Sequence, residues 1–160
     1  MTHEFTSTQK IRVANDLDAV YDLFCERGWS DGLPIMPPTE ERVQKMLAGT
    51  ARRPDEVVAR LAPSMADATV ESIAVNAVMA GCRPEYLPVV IAGVEAVAEE
   101  EFNLLSVQTT TYPCAPLMII NGPIRQALGI NSGTGAFGPG TRANAAIGRA
   151  LRLTLVNVGG

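Results

Sequence analysis

The sequence predicts one α/β or α+β domain, with helices packed on a small mixed sheet and completed by oligomerisation or a partner chain. Three observations lead there. The chain has 160 residues, 47% of them hydrophobic, enough for one buried core and close to the usual domain size of ~100–150 residues. Apolar residues recur at helical spacing in several stretches bounded by capping residues and glycines, which marks amphipathic helices. Two β-rich runs, Leu104–Thr111 and Pro116–Ile120, lie between the later helices. No internal repeat interrupts this order.

The elements follow along the chain. Residues 1–14 are largely polar and are expected to form a flexible arm, with the domain spanning 15–160. Asn15 or Asp16 caps a first helix whose apolar stripe is Leu17, Val20, Tyr21 and Phe24 and whose stop is Gly28. The glycines and prolines of GWSDGLPIMPPTEER exclude regular structure up to Thr39, which caps a helix to about Ala48, closed by Gly49. Glu56–Leu61 reads as a short strand or a helical turn. Helices are expected at about 69–81, capped by Thr69 or Asp67, and at about 84–100, with Pro84 in its first turn. The acidic cluster Glu99–Glu101 opposes the macrodipole, so this second helix is expected to stop early. Of the β-rich runs, the one containing LMII is apolar enough for a strand covered on both faces. A short helix at about 123–128, a glycine-rich segment and a last helix at about 141–157 complete the order. That last helix is apolar on more than one face, which calls for burial by other elements or by a partner.

Composition removes several functional classes. A net charge of −4 argues against a general nucleic-acid binder, which shows a basic face. The N-terminus lacks the apolar core of a signal peptide, and the run 86–98 is too short to span a bilayer. Three cysteines without a CxxC spacing point to a reducing cytoplasm rather than a disulfide scaffold. One histidine, His3 in the arm, leaves no base for a Ser-His-Asp or Cys-His arrangement, and no His/Cys spacing suggests a metal. No motif names a cofactor.

Three places carry residues suited to chemistry. Cys82 stands at the start of the helix expected at 84–100, where unpaired N–H groups and the Arg83 guanidinium favour a thiolate; the competing reading is a packing thiol between helices. The glycine-rich segment Gly129–Asn144 runs into a helix N-terminus, an arrangement that suits a carboxylate or phosphate. Its candidate ligand-binding residues are Asn131, Ser132, Gly133, Thr141, Arg142 and Asn144, against a lid or plain packing loop. It lacks the lysine of a P-loop. In the third place Trp29 offers an aromatic wall and Asp31 a catalytic carboxylate, or Trp29 seals the core and Asp31 makes a turn.

The blocks GWSDGLPIMPPTEERVQKML, TVESIAVNAVMAGCRPEYLPVVIAGVEAV and NGPIRQALGINSGTGAFGPGTRANAAIGRALRL, together covering most of residues 21–160, resemble a bacterial family of uncharacterised proteins associated with UGSC-motif (seleno)proteins. The resemblance implies thiol or selenol redox chemistry. This chain has no UGSC or CGSC run of its own, so it implies a companion subunit or substrate-site component beside a UGSC-type partner. It also implies relatives that continue past VNVGG, and hence a shorter member, a split protein or a processed fragment. Two functions are then expected. One is a subunit of a thiol-dependent or redox enzyme, an oxidoreductase or lyase, in which Cys82, Asp31 and the loop around Arg142 act on a small anionic substrate. The other is a non-catalytic binding or scaffolding subunit for a partner that carries the reactive thiol or selenol.

Overall fold

The computed structural model describes residues 9–160; most of the arm, His3 included, lies outside them. Helix α1 (Leu17–Glu26) starts at Asp16, whose carboxylate accepts from the Ala19 N–H, and ends before Gly28 at φ +67°. Phe24 is buried on its inner face, Val20 and Tyr21 are half-buried, and Leu17, expected in the stripe, is exposed. Helix α2 (Glu40–Leu47) is capped by Thr39 through the Arg42 N–H. The strand β1 (Val57–Leu61) pairs antiparallel with β2 (Ala66–Thr69), a strand that the sequence does not predict, Asp67 lying inside it instead of capping the next helix. Thr69 then caps α3 (Val70–Met79).

A three-residue 3-10 turn (Pro84–Tyr86) leads into α4 (Leu87–Ala98), which stops at Glu99, before the rest of the acidic cluster. The expected strand at 104–111 is instead α5 (Leu104–Thr109). The expected covered strand at 116–120 has no partner: residues 113–121 run without turn or bend across the body, and Leu117 and Ile119 face outward. Helix α6 (Pro123–Ala127) precedes the glycine-rich loop, and α7 (Arg142–Thr154) closes the order before a wider π-helical turn at Leu155–Gly159.

The fold is therefore α+β: seven α-helices and a two-stranded antiparallel sheet among the described residues. Its centre is α3, buried on nearly every side, with Val70, Ile73, Ala74 and Ala77 fully enclosed and the polar Glu71 and Asn76 buried beside them. Helix α7 packs along α3 and also against α4, which covers the several apolar faces that had called for a partner. The π-helical turn folds back on the hairpin, where the Ser64 N–H donates to the Gly159 carbonyl at 2.8 Å. No described helix is long and apolar enough to cross a membrane.

Candidate functional site

The structure brings Cys82 beside the start of α7, as the combined site required, but not as a thiolate. Its Sγ donates to the Ala146 carbonyl at 3.3 Å and the residue is 7% exposed. Burial pushes the thiol up to about 12, against the opposing pull of the Arg142 charge. The expected helix N-terminus is only the 3-10 turn, since α4 starts at Leu87, so little dipole reaches the sulfur. Arg83 is exposed instead of turned inward.

The polar groups of the glycine-rich loop bind one another. Arg142 donates through Nε and Nη2 to the Gly81 carbonyl at 3.0 and 2.8 Å, closing the end of α3. The Asn144 side chain accepts from the Asn131 N–H at 2.9 Å and donates to the carbonyls of Asn131 and Ala136 at 2.9 and 3.1 Å. Asn131 in turn accepts from the Gly133 N–H and donates to the Thr134 carbonyl, and Ser132 accepts from Arg125. Thr141 precedes α7 without a side-chain cap bond. Gly135 and Gly140, at φ +78° and +108°, make the turns that this clamp holds. Asn144 and Arg142 thus shape the loop.

Asp31 is bound by Arg149, which stands two helical turns beyond Arg142 and grips the carboxylate with Nε and Nη2 at 2.8 and 2.7 Å; the two side chains are 23% and 21% exposed. The Arg149 hydrogen bond holds the Asp31 carboxyl below its ordinary value of 3.8. Trp29 meets the Phe24 ring edge-on at 5.4 Å and its carbonyl accepts from Asn157, so it seals the core. Replacing Asp31 by Asn is expected to remove about 1 kcal/mol of stability at neutral pH, solvent screening limiting this surface pair. The folded-state pKa is depressed, so the contribution is present above the ordinary carboxylate value and is lost as pH falls through the lower folded one. Urea denaturation of both proteins at several pH values down to about 3 should show the curves converging in acid.

One feature was invisible to sequence reading. Between α7 and the segment 110–121 lies a groove of about 600 Å³. Ala143, Ile147, Gly148 and Leu151 form its floor, Met118, Ile120 and Ile130 its opposite wall, and Tyr112 and Phe137 its mouth. Gly93 of α4 lets this wall come close: a Cβ there would stand 2.8 Å from the Met118 Cε. At one end Arg152 Nη1 donates to Gln108 Oε1 at 2.8 Å, while Gln108 Nε2 donates to the Leu155 carbonyl at 3.2 Å. Arg152 is the one charged residue of the lining among the described residues. The available signals were weak ones: a glycine inside α7, and the absence of any charge between Glu101 and Arg125.

Comparison with family models, with curated proteins and with solved structures returned no match. Among the described residues no group of three or more His, Cys, Asp or Glu side chains is placed to hold a metal ion.

Proposed function

We propose that this chain is a binding subunit that holds a small molecule with an apolar body and an anionic end in the groove beside α7. The observation that carries this reading is the groove itself: about 600 Å³, within the range of small-molecule sites, walled by apolar side chains and charged only at Arg152. An anionic end set against Arg152 and Gln108 gains a charge-assisted hydrogen bond, and the apolar body covers Ile147, Leu151 and Met118. Thiol chemistry belongs to a partner on this reading, because Cys82 is buried and protonated. The resemblance to the UGSC-associated family supports the same division: this chain supplies the substrate site and the partner supplies the thiol or selenol. A reducing cytoplasm suits the exposed free thiols of Cys25 and Cys114.

Octanoate and 1-octanol, compared by calorimetry, test the reading. Octanoate is expected to bind roughly fivefold or more tightly than the alcohol, and Arg152→Gln to erase the difference. Gly148→Leu gives the second arm. A Cβ at Gly148 meets nothing within 4 Å, so leucine is expected to keep or raise the melting temperature by removing a helix glycine, while filling the floor and abolishing binding of both probes. Binding that survives Gly148→Leu, or no binding of either probe to the natural chain, overturns the groove as the site.

A further inference from the structure

Three places in the chain put an asparagine or aspartate before a glycine or serine: Asp31-Gly32, Asn121-Gly122 and Asn131-Ser132. In such pairs the side-chain carbonyl carbon lies one five-membered ring away from the next backbone nitrogen, and a small follower leaves that nitrogen room to attack. The fold locks two of the three. The Asp31 carboxylate is held by Arg149, and an ionised carboxylate is a poor electrophile; the Gly32 N–H is also engaged, donating to Ser30 Oγ at 3.2 Å. Asn131 accepts through Oδ1 from the Gly133 N–H at 2.9 Å and donates through Nδ2 to the Thr134 carbonyl at 3.0 Å, so its amide is kept from turning toward Ser132. Asn121 has neither restraint. It is exposed, as is Gly122, and among the described residues its side chain makes no hydrogen bond and the Gly122 N–H has no acceptor. A Cβ at Gly122 would meet nothing within 4 Å, which leaves open space where the ring must close.

We propose that Asn121 is a modification site, deamidated in the folded protein through a cyclic imide with water as the co-reactant. The Gly122 nitrogen gives up its proton and bonds to Asn121 Cγ; the bond from Cγ to the side-chain nitrogen breaks, and that nitrogen leaves as ammonia. Water then opens the ring at either of its carbonyls. Opening between Cγ and the Gly122 nitrogen gives aspartate, and opening between the Asn121 main-chain carbonyl carbon and that nitrogen gives isoaspartate. One water is consumed and one ammonia released, with no change of oxidation state. Either product ionises at neutral pH and takes the formal net charge from −4 to −5. The new carboxylate enters the stretch 102–124, which has no charge of its own. Isoaspartate also routes the main chain through the side chain, adding one carbon between Ile120, on the groove wall, and α6. The inference does not depend on what the groove holds.

Peptide mass spectrometry of the chain aged in mildly alkaline buffer, folded or in guanidinium chloride, tests it. In the folded chain Asn121 is expected to convert within about fivefold of its rate in denaturant, since no interaction has to open first. Asn131 is expected to be slowed at least about tenfold by folding, the equivalent of one or two hydrogen bonds. Electron-transfer fragmentation is expected to find both aspartate and isoaspartate at position 121, because both arise from one ring. Asn121→Gln, at an exposed position whose side chain makes no hydrogen bond, is expected to fold as the natural chain does and to lose the acidic form that ion exchange resolves from the aged protein. An Asn121 protected by folding as strongly as Asn131 overturns the proposal. So does an acidic form equally abundant in Asn121→Gln, or aspartate at position 121 without isoaspartate.

Discussion

Iodoacetamide is expected to modify Cys82 of the folded chain roughly a thousandfold more slowly than an unhindered thiol at the same pH, since each unit of pKa costs a factor of ten in thiolate. The thiol is pushed from an ordinary 9.0 up to about 12, by burial against the pull of Arg142. A variant with Cys25 and Cys114 changed to serine leaves Cys82 as the one reacting group, and quenched mass spectrometry reads the rate. A rate near that of a free thiol would restore the case for chemistry at this residue. The same shift predicts a loss of stability in alkali. The folded pKa is raised, so the unfolded chain releases its proton first, and the contribution of Cys82 is full below about 9.0 and declines as pH rises toward about 12.

Gly49→Ala is expected to be the most damaging of the glycine-to-alanine changes in this chain. A Cβ at Gly49 would stand 2.0 Å from the Pro84 carbonyl oxygen and 2.6 Å from its carbon, both backbone atoms. The end of α2 and the 3-10 turn before α4 touch at that point, and no rotamer can relieve the collision. The expected loss is about 3 kcal/mol, or roughly 10 °C in melting temperature, at the upper end for overpacking. Gly148→Ala is the matched control. It adds the same methyl to open space inside α7, and is expected to raise stability by about 0.5–1 kcal/mol. Thermal denaturation of the two variants beside the natural chain checks both signs.

Much of the fold was legible because its helices announce their ends. Asp16, Thr39 and Thr69 cap as their side chains allow, and Gly28 and Gly81 stop helices at φ +67° and +80°. Local propensity failed where tertiary partners decide. Val107 and Thr109 favour a strand, but Gln108 reaches Leu155 and Arg152, and the Thr109 hydroxyl donates back to the Leu105 carbonyl at 2.8 Å, all from a helical turn. The apolar run at 116–120 predicts a strand covered on both faces, but no second strand lies beside it and Leu117 and Ile119 stay exposed. The site was less legible. Cys82 and Arg142 were rightly brought together, yet the balance between burial and dipole depends on where α4 starts. The groove joins residues 107–120 to 130–152, and although the second stretch includes the glycine-rich segment and Asn144, nothing in the sequence shows that the first lies against it.

The pairing of α3 with α7 has a consequence for synthesis. Helix α3, with Val70, Ile73, Ala74 and Ala77 fully buried in the finished molecule, takes more of its cover from a helix that begins only at Arg142 than from any other single element. At ribosomal speeds of about 5–20 residues per second, the nascent chain carries that apolar helix without its mate for roughly 4–14 s. The hairpin can form in that time, but it too waits for the turn at Leu155–Gly159 before Leu61 is enclosed. A chain whose α7 has not yet emerged is expected to associate through α3, so slower initiation, which lowers the number of such chains, or a lower temperature, which weakens their apolar attraction, is expected to raise the yield.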